Sequence, residues 1–77
     1  MRIKFKKGNY VLFNHQYPMV ITNSYRDTAG LPRYVISNHE NTNWWDCPQK
    51  DVILITEETY WSLNVMNKLT ENIANEI

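Results

Sequence analysis

Asn43-Trp44-Trp45-Asp46-Cys47-Pro48-Gln49-Lys50-Asp51-Val52-Ile53-Leu54-Ile55 is the stretch on which the fold turns. Thr42 to Asp46 reads as a strand that carries two tryptophans. Side chains alternate across a sheet, so Trp44 and Trp45 are expected on opposite faces, one of them in the core. Cys47-Pro48-Gln49-Lys50 then turns the chain through a single helical turn. Asp51 to Ile55 follows as a closing strand, apolar enough to be covered on both faces.

Upstream of this stretch the chain reads as strands and polar breaks. Met1 to Lys7 alternates, with Ile3 and Phe5 on one side and Arg2, Lys4 and Lys6 on the other, a half-buried strand or lead-in. Tyr10 to Phe13 is aromatic and β-branched, hence a strand. Met19 to Tyr25 is the next, with Met19, Ile21 and Asn23 on one face and Val20 and Thr22 on the other. Arg26-Asp27-Thr28-Ala29-Gly30 is a turn cluster, and Pro32 to Ser37 is its return strand. Tyr34 and Ile36 share one face of that strand; Arg33, Val35 and Ser37 share the other.

Downstream the period changes. Thr56 is a good helix N-cap, and Glu57 and Glu58 stand at the positive end of the helix dipole. Tyr60, Trp61, Leu63, Val65, Met66, Leu69, Ile73 and Ile77 recur at helical spacing. One helix is expected from Glu57 to about Asn75. The division is therefore residues 1–55 for the strands and 56–77 for the helix packed on them, a single domain.

Length and composition bound the function. A chain of 77 residues buries only about 60% of its unfolded surface. Ten aromatic residues offset that by supplying large areas each. Cys47 is the single cysteine, so no intramolecular disulfide forms, as fits a reducing compartment. No secretory leader or membrane-spanning run is read, and a cytoplasmic protein is expected. Net charge is zero, but it is unevenly spread. Residues 1–34 hold six cations against Asp27, or +5; the remainder holds two against seven acids, or −5. The expectation is that the two ends attract each other within the molecule.

Phe5-Lys6-Lys7-Gly8-Asn9-Tyr10-Val11 at the start and Pro48-Gln49-Lys50-Asp51-Val52 at the end resemble the opening strand and the closing corner of SH3-like small β-barrels. Pro32-Arg33-Tyr34-Val35-Ile36 resembles their middle strand. The resemblance spans residues 5–55 and implies a mainly β (α+β) fold, a five-stranded SH3-like barrel with one C-terminal α-helix. The sequence departs from peptide-binding members. It has no acidic stretch after the first strand, and its paired tryptophans stand immediately before the corner. The resemblance therefore implies an interaction module without naming its ligand. Small size and a bias to Asn, Ile and Lys also resemble bacteriophage or mobile-element accessory proteins, for which occluding a host macromolecule is the expected action.

The chemistry-bearing residues are few. His15, His39, Asp46 and Cys47 lack metal-ligand spacing, so no metal and no cofactor is expected. Cys47 with His39 is the one imaginable catalytic dyad, and Cys47 reads better as a small buried apolar group, so the protein is not expected to be an enzyme. A non-catalytic protein-binding module is expected, with Trp45, Tyr25, Arg26, Arg33 and Tyr34 in contact with the partner. The alternative is nucleic-acid binding by Arg2, Lys4, Lys6 and Lys7. A third reading is a structural subunit that forms homodimers through the helix stripe.

Overall fold

The computed structural model describes residues 2–76, with side chains through residue 66. Five antiparallel strands form one sheet: β1 (Tyr10–Phe13), β2 (Tyr17–Arg26), β3 (Pro32–Ser37), β4 (Trp44–Pro48) and β5 (Val52–Leu54). The order across the sheet is β4-β3-β2-β1-β5. β4 and β5 are thus its two edges, and the closure expected of a barrel is not made by strand pairing between them. A 3-10 turn over Gln49–Asp51 links these edges, the single helical turn expected at the Pro48 corner.

Turn chemistry sets the hairpins. Asn14 and His15 both adopt positive φ, 52° and 59°, and Gln16 N–H donates to Phe13 O at 3.1 Å. Two left-handed central residues make the tight primed turn that matches strand twist. Between β2 and β3, Asp27 Oδ1 accepts from Ala29 N and Leu31 N, each at 2.9 Å. Gly30 closes that turn at φ 81°, a conformation open to glycine without a Cβ clash.

The core lies on one face, called inner below. It comprises Val11, Met19, Ile21, Tyr34, Ile36, Cys47 and Val52, with Ile3, Phe5 and Phe13 packed against it. The alternation read for β2 fails at Thr22. The register slips between Ile21 and Asn23, so Ile21 stays inward opposite Ile36 while Asn23 moves to the outer face opposite Val35. Thr22 Oγ1 donates to Val35 O at 3.0 Å and fills the bulge. A bulge adds one residue and inverts the phase of everything after it.

Residues 2–5 form a lead-in rather than a strand. Backbone N–H groups of Lys4 and Phe5 donate to Tyr34 Oη, each at 3.1 Å, and Lys4 N–H also reaches Gln49 Oε1 at 2.9 Å. Gln49 Nε2 donates to Arg2 O at 3.0 Å. Tyr34 Oη itself bonds Gln49 Oε1. Two buried side chains therefore hold an extended segment that no strand pairs with, and Ile3 and Phe5 are carried onto the core.

The helix α1 spans Glu57–Glu76. Thr56 Oγ1 accepts from Thr59 N at 3.1 Å, as an N-cap should. Its first turns pack on the outer face. Tyr60 is buried there with its ring centroid 4.4 Å from that of Tyr10. Leu63 is half-buried, whereas Trp61, Val65 and Met66 are exposed. The stripe positions Leu69 and Ile73 fall where side chains are not described, and Ile77 lies outside the described residues.

Three expectations about the closing stretch are corrected. Its first strand begins at Trp44 and includes Pro48, whose missing N–H is harmless on an edge. Trp44 and Trp45 do face opposite sides, but neither is core: they are 54% and 46% exposed, because β4 has no neighbour beyond it. β5 is not covered on both faces, since Ile53 and Leu54 are 44% and 58% exposed at the other edge.

Candidate functional site

The residues expected to share one contact face divide between two. Register places Trp45 opposite Ile36 on the inner side, and Tyr34 opposite Cys47 on that same side. Tyr34 is fully buried, so it belongs to the core and is withdrawn from the contact set. Tyr25 pairs with Arg33 on the outer side. Arg26 lies at the end of β2, where its Nη1 donates to Gly30 O at 2.8 Å.

On the outer side Tyr25, Arg33 and Asp46 form one polar cluster across three strands. Arg33 Nε donates to Asp46 Oδ1 at 2.8 Å, and Tyr25 Oη donates to Asp46 Oδ2. The bond from Tyr25, then that from Arg33 and its charge, hold the Asp46 carboxyl below its ordinary pKa against the opposing effect of burial. The same bond to Asp46 raises the Tyr25 phenol above its ordinary value. The cluster is solvent-exposed, so water and salt compete with it. Its partners are satisfied within the protein, and it aligns β2, β3 and β4 rather than offering free charge.

At the end where β1 turns into β2 and β3 into β4, a groove of about 630 Å³ opens beside the inner-face rings of Phe13, Tyr17 and Trp45 and reaches round the end of the sheet to Pro18 and to Asn64 of α1. Phe13, Tyr17, Pro18, Met19 and Trp45 supply its apolar wall, and Asn38, Thr42, Asn43 and Asn64 are among its polar lining. Tyr17 is 49% exposed, with its ring 6.4 Å from that of Phe13. The wall is positioned by two hairpins. The primed turn at Asn14 and His15 brings Phe13 and Tyr17 side by side. Asn38 fixes the other, its Oδ1 accepting from Thr42 N at 2.9 Å and Asn43 N at 3.2 Å. Apolar walls with a few placed polar groups are the usual form of a binding groove.

Sequence reading found Trp45 but missed Tyr17, Phe13 and Met19 as its companions. The signal was available in part: the short polar break Asn14-His15-Gln16 brings Phe13 opposite Tyr17, and the core face of β2 carries Met19. It also missed Asp46 as the partner of Arg33, which it meets diagonally, the register setting Arg33 opposite Pro48 and Asp46 opposite Val35.

The remaining candidates are dispersed. Arg2, Lys4, Lys6 and Lys7 are all exposed along the lead-in. Among the described side chains none of them forms an ion pair with Glu57 or Glu58, so the expected attraction between the ends is not made there. Cys47 is buried, and burial pushes its thiol up to about 11. His39 sits in the β3–β4 turn with its ring edge-on to Trp61 and Nε2 3.6 Å from Glu40 Oε1. Among the described residues no group of three His, Cys, Asp or Glu is placed to hold a metal ion. Among them, too, no helix is long and apolar enough to cross a membrane. Comparison with protein-family models, with curated proteins and with solved structures finds no match.

Proposed function

We propose that this domain is a non-catalytic protein-binding module whose contact site is the groove around Trp45 and Tyr17 at this end of the sheet. The observation that carries the reading is the pair of half-exposed aromatic rings in one apolar groove, at 46% and 49% exposure. A small domain has few large apolar groups to spare, and leaving Trp and Tyr in water forgoes burial that its stability needs. Such rings become binding hot spots when a partner dehydrates them. The strand order and the 3-10 turn at the Pro48 corner support an SH3-like arrangement, in which the sheet edges curl toward each other without pairing. Against catalysis stand the depth and raised pKa of Cys47 and the engagement of His39 with Trp61 and Glu40.

The test is capture from nuclease-treated lysate by the wild-type domain, by Tyr17→Ala, and by a Tyr25→Phe/Arg33→Ala variant. A stoichiometric protein retained by wild type and the outer-face variant, and lost with Tyr17→Ala at unchanged melting temperature, is the expected result. Retention by Tyr17→Ala overturns the groove.

A second reading is favoured by one observation, the run of exposed Arg2, Lys4, Lys6 and Lys7 on an extended, anchored segment. It makes the lead-in a nucleic-acid contact. Titration with a fluorescent single strand would then show affinity falling steeply with salt, by a log–log slope of about −3 for four neutralised phosphates. A flat salt response removes this reading.

A further inference from the structure

The two sheet edges are defended differently. β5 has three residues, and the N–H of Val52 is turned back to Gln49 O by the 3-10 turn. β4 has five residues and no lysine, and it carries an exposed indole on each face. Edges of that kind are normally blunted by charge, brevity or a covering segment.

Register fixes which backbone groups of β4 point outward. Hydrogen-bonded and open pairs alternate in an antiparallel ladder. Asn38 N–H donates to Asn43 O at 3.2 Å, so the pairs Ile36↔Trp45 and Tyr34↔Cys47 are the bonded ones. Pro48, which has no N–H, falls on an open pair as it must. Trp44 and Asp46 therefore aim N–H and C=O away from β3, at the free edge.

We infer that two copies of this chain pair antiparallel through β4, with the two-fold axis at Trp45. The outward-facing residues Trp44 and Asp46 flank that axis symmetrically. Trp44 of one copy then meets Asp46 of the other, and the reverse, which makes four backbone hydrogen bonds. Trp45 meets Trp45 of the second copy at the close, non-bonded position, where aromatic pairs interact best. Charge agrees with this register. Asp46 faces an indole rather than its own copy, and its carboxylate is already paired with Arg33. A strand from an unrelated partner gains no such match on both sides of one axis. The ladder ends at Pro48, so the contact is short and the dimer dissociates on dilution. The inference does not rest on the groove's proposed role, although each groove ends at Trp45 and the two would meet at the axis.

The experiment is amide hydrogen exchange by NMR on the wild-type chain at about 20 µM and about 1 mM, alongside sedimentation. Protection of the Trp44 and Asp46 amides is expected to rise at least tenfold with concentration, while Trp45 and Cys47 amides stay protected throughout. The mass should climb toward twice the 9.2 kDa of one chain. Trp44→Asp, which sets an acid opposite Asp46 of the other copy at both ends of the contact, should leave a monomer at both concentrations. A monomer at the higher concentration with concentration-independent exchange at Trp44 and Asp46 overturns the inference. So does a dimer whose new protection lies in α1 rather than β4. Loss of the groove's partner in Tyr17→Ala, with dimerisation intact, would separate the two proposals.

Discussion

Arg33 and Tyr34 are consecutive residues of β3 that face opposite sides of the sheet, and each is the hub of a polar cluster. Arg33 joins Tyr25 and Asp46 on the outer side. Tyr34 joins Gln49 and the backbone of Lys4 and Phe5 on the inner side. The bonds are similar in number, but their surroundings differ. Around Arg33 water is an equal competitor for every donor and acceptor, so the net gain is small. Around Tyr34 water is excluded, and a partner removed there leaves its mate buried and unsatisfied. The buried neutral cluster is thus expected to carry stability, and the exposed charged one to carry the pH dependence.

The largest effect tests the inner cluster. Tyr34→Phe keeps the ring that packs 5.6 Å from Phe5 but removes the hydroxyl that bonds Gln49 Oε1 and accepts from the Phe5 amide, and from the Lys4 amide, which keeps Gln49 Oε1 as a second acceptor. A cost of about 2–3 kcal/mol is expected in urea unfolding, from the desolvation of the groups left behind. Exchange at the Phe5 amide should accelerate with it, and more than at Lys4, which keeps its bond to Gln49 Oε1. Arg33→Ala in the same assay should shift the midpoint far less. Equal losses for the two variants would break the contrast between the faces.

A smaller effect sharpens it. The folded-state pKa of Asp46 lies below its unfolded value of about 3.8. The stability this contributes is present above that unfolded value and is lost as pH falls through the lowered folded value. Tyr25 has a raised pKa, so its contribution is present below about 10 and is lost as pH rises through the folded value. Asp46→Asn should therefore lower the midpoint slightly at neutral pH, where the contribution is present, and flatten the acid limb below about pH 4, so that the two profiles converge in acid. High salt should shrink the same difference. An acid limb identical in wild type and Asp46→Asn would show that the cluster has no thermodynamic part.

How far the sequence carried the fold can be read from the same strands. β1 and β3 were legible to the residue, because β-branched and aromatic runs between polar turns leave little choice. The split of Arg33 and Tyr34 between faces was legible too, from period two. What alternation alone does not say is which face is inside, and so Tyr34 was placed in a contact set beside Arg33. The bulge at Thr22 was hidden for a related reason: one inserted residue leaves no mark in composition. Trp44 and Trp45 misled because aromatic bulk suggests burial, whereas an edge position exposes both faces whatever the residues are. The groove was half legible. Trp45 stood out by itself, but Tyr17 and Phe13 join it through the geometry of the turn between β1 and β2, and Met19 through its pairing with Val11 across the same hairpin. Gln49 gave no signal, since a lone glutamine after a proline becomes a buried anchor only when the lead-in crosses it.

The smallest effect concerns the other buried tyrosine. Tyr60 is as deep as Tyr34, but among the described side chains its hydroxyl is the one buried polar atom without a hydrogen-bond partner. Burial raises its pKa, and the nearby Asn64 side chain opposes that shift only in part, its amide donating to Tyr60 O at 3.0 Å. Its ring is well used, 4.4 Å from Tyr10 and 5.0 Å edge-on to Trp61. Tyr60→Phe keeps both ring contacts and deletes only the unsatisfied oxygen. A change between zero and about 1 kcal/mol in the stabilising direction is expected, because removing an unpaired buried hydroxyl relieves desolvation and breaks nothing. Identical chemistry at Tyr34 and Tyr60 should thus act with opposite signs in one unfolding experiment. A Tyr60→Phe variant that is clearly less stable than wild type would mean that the hydroxyl has a partner in solution. The outer face would then hold a second satisfied polar anchor, and burial depth alone would account for the strength of both.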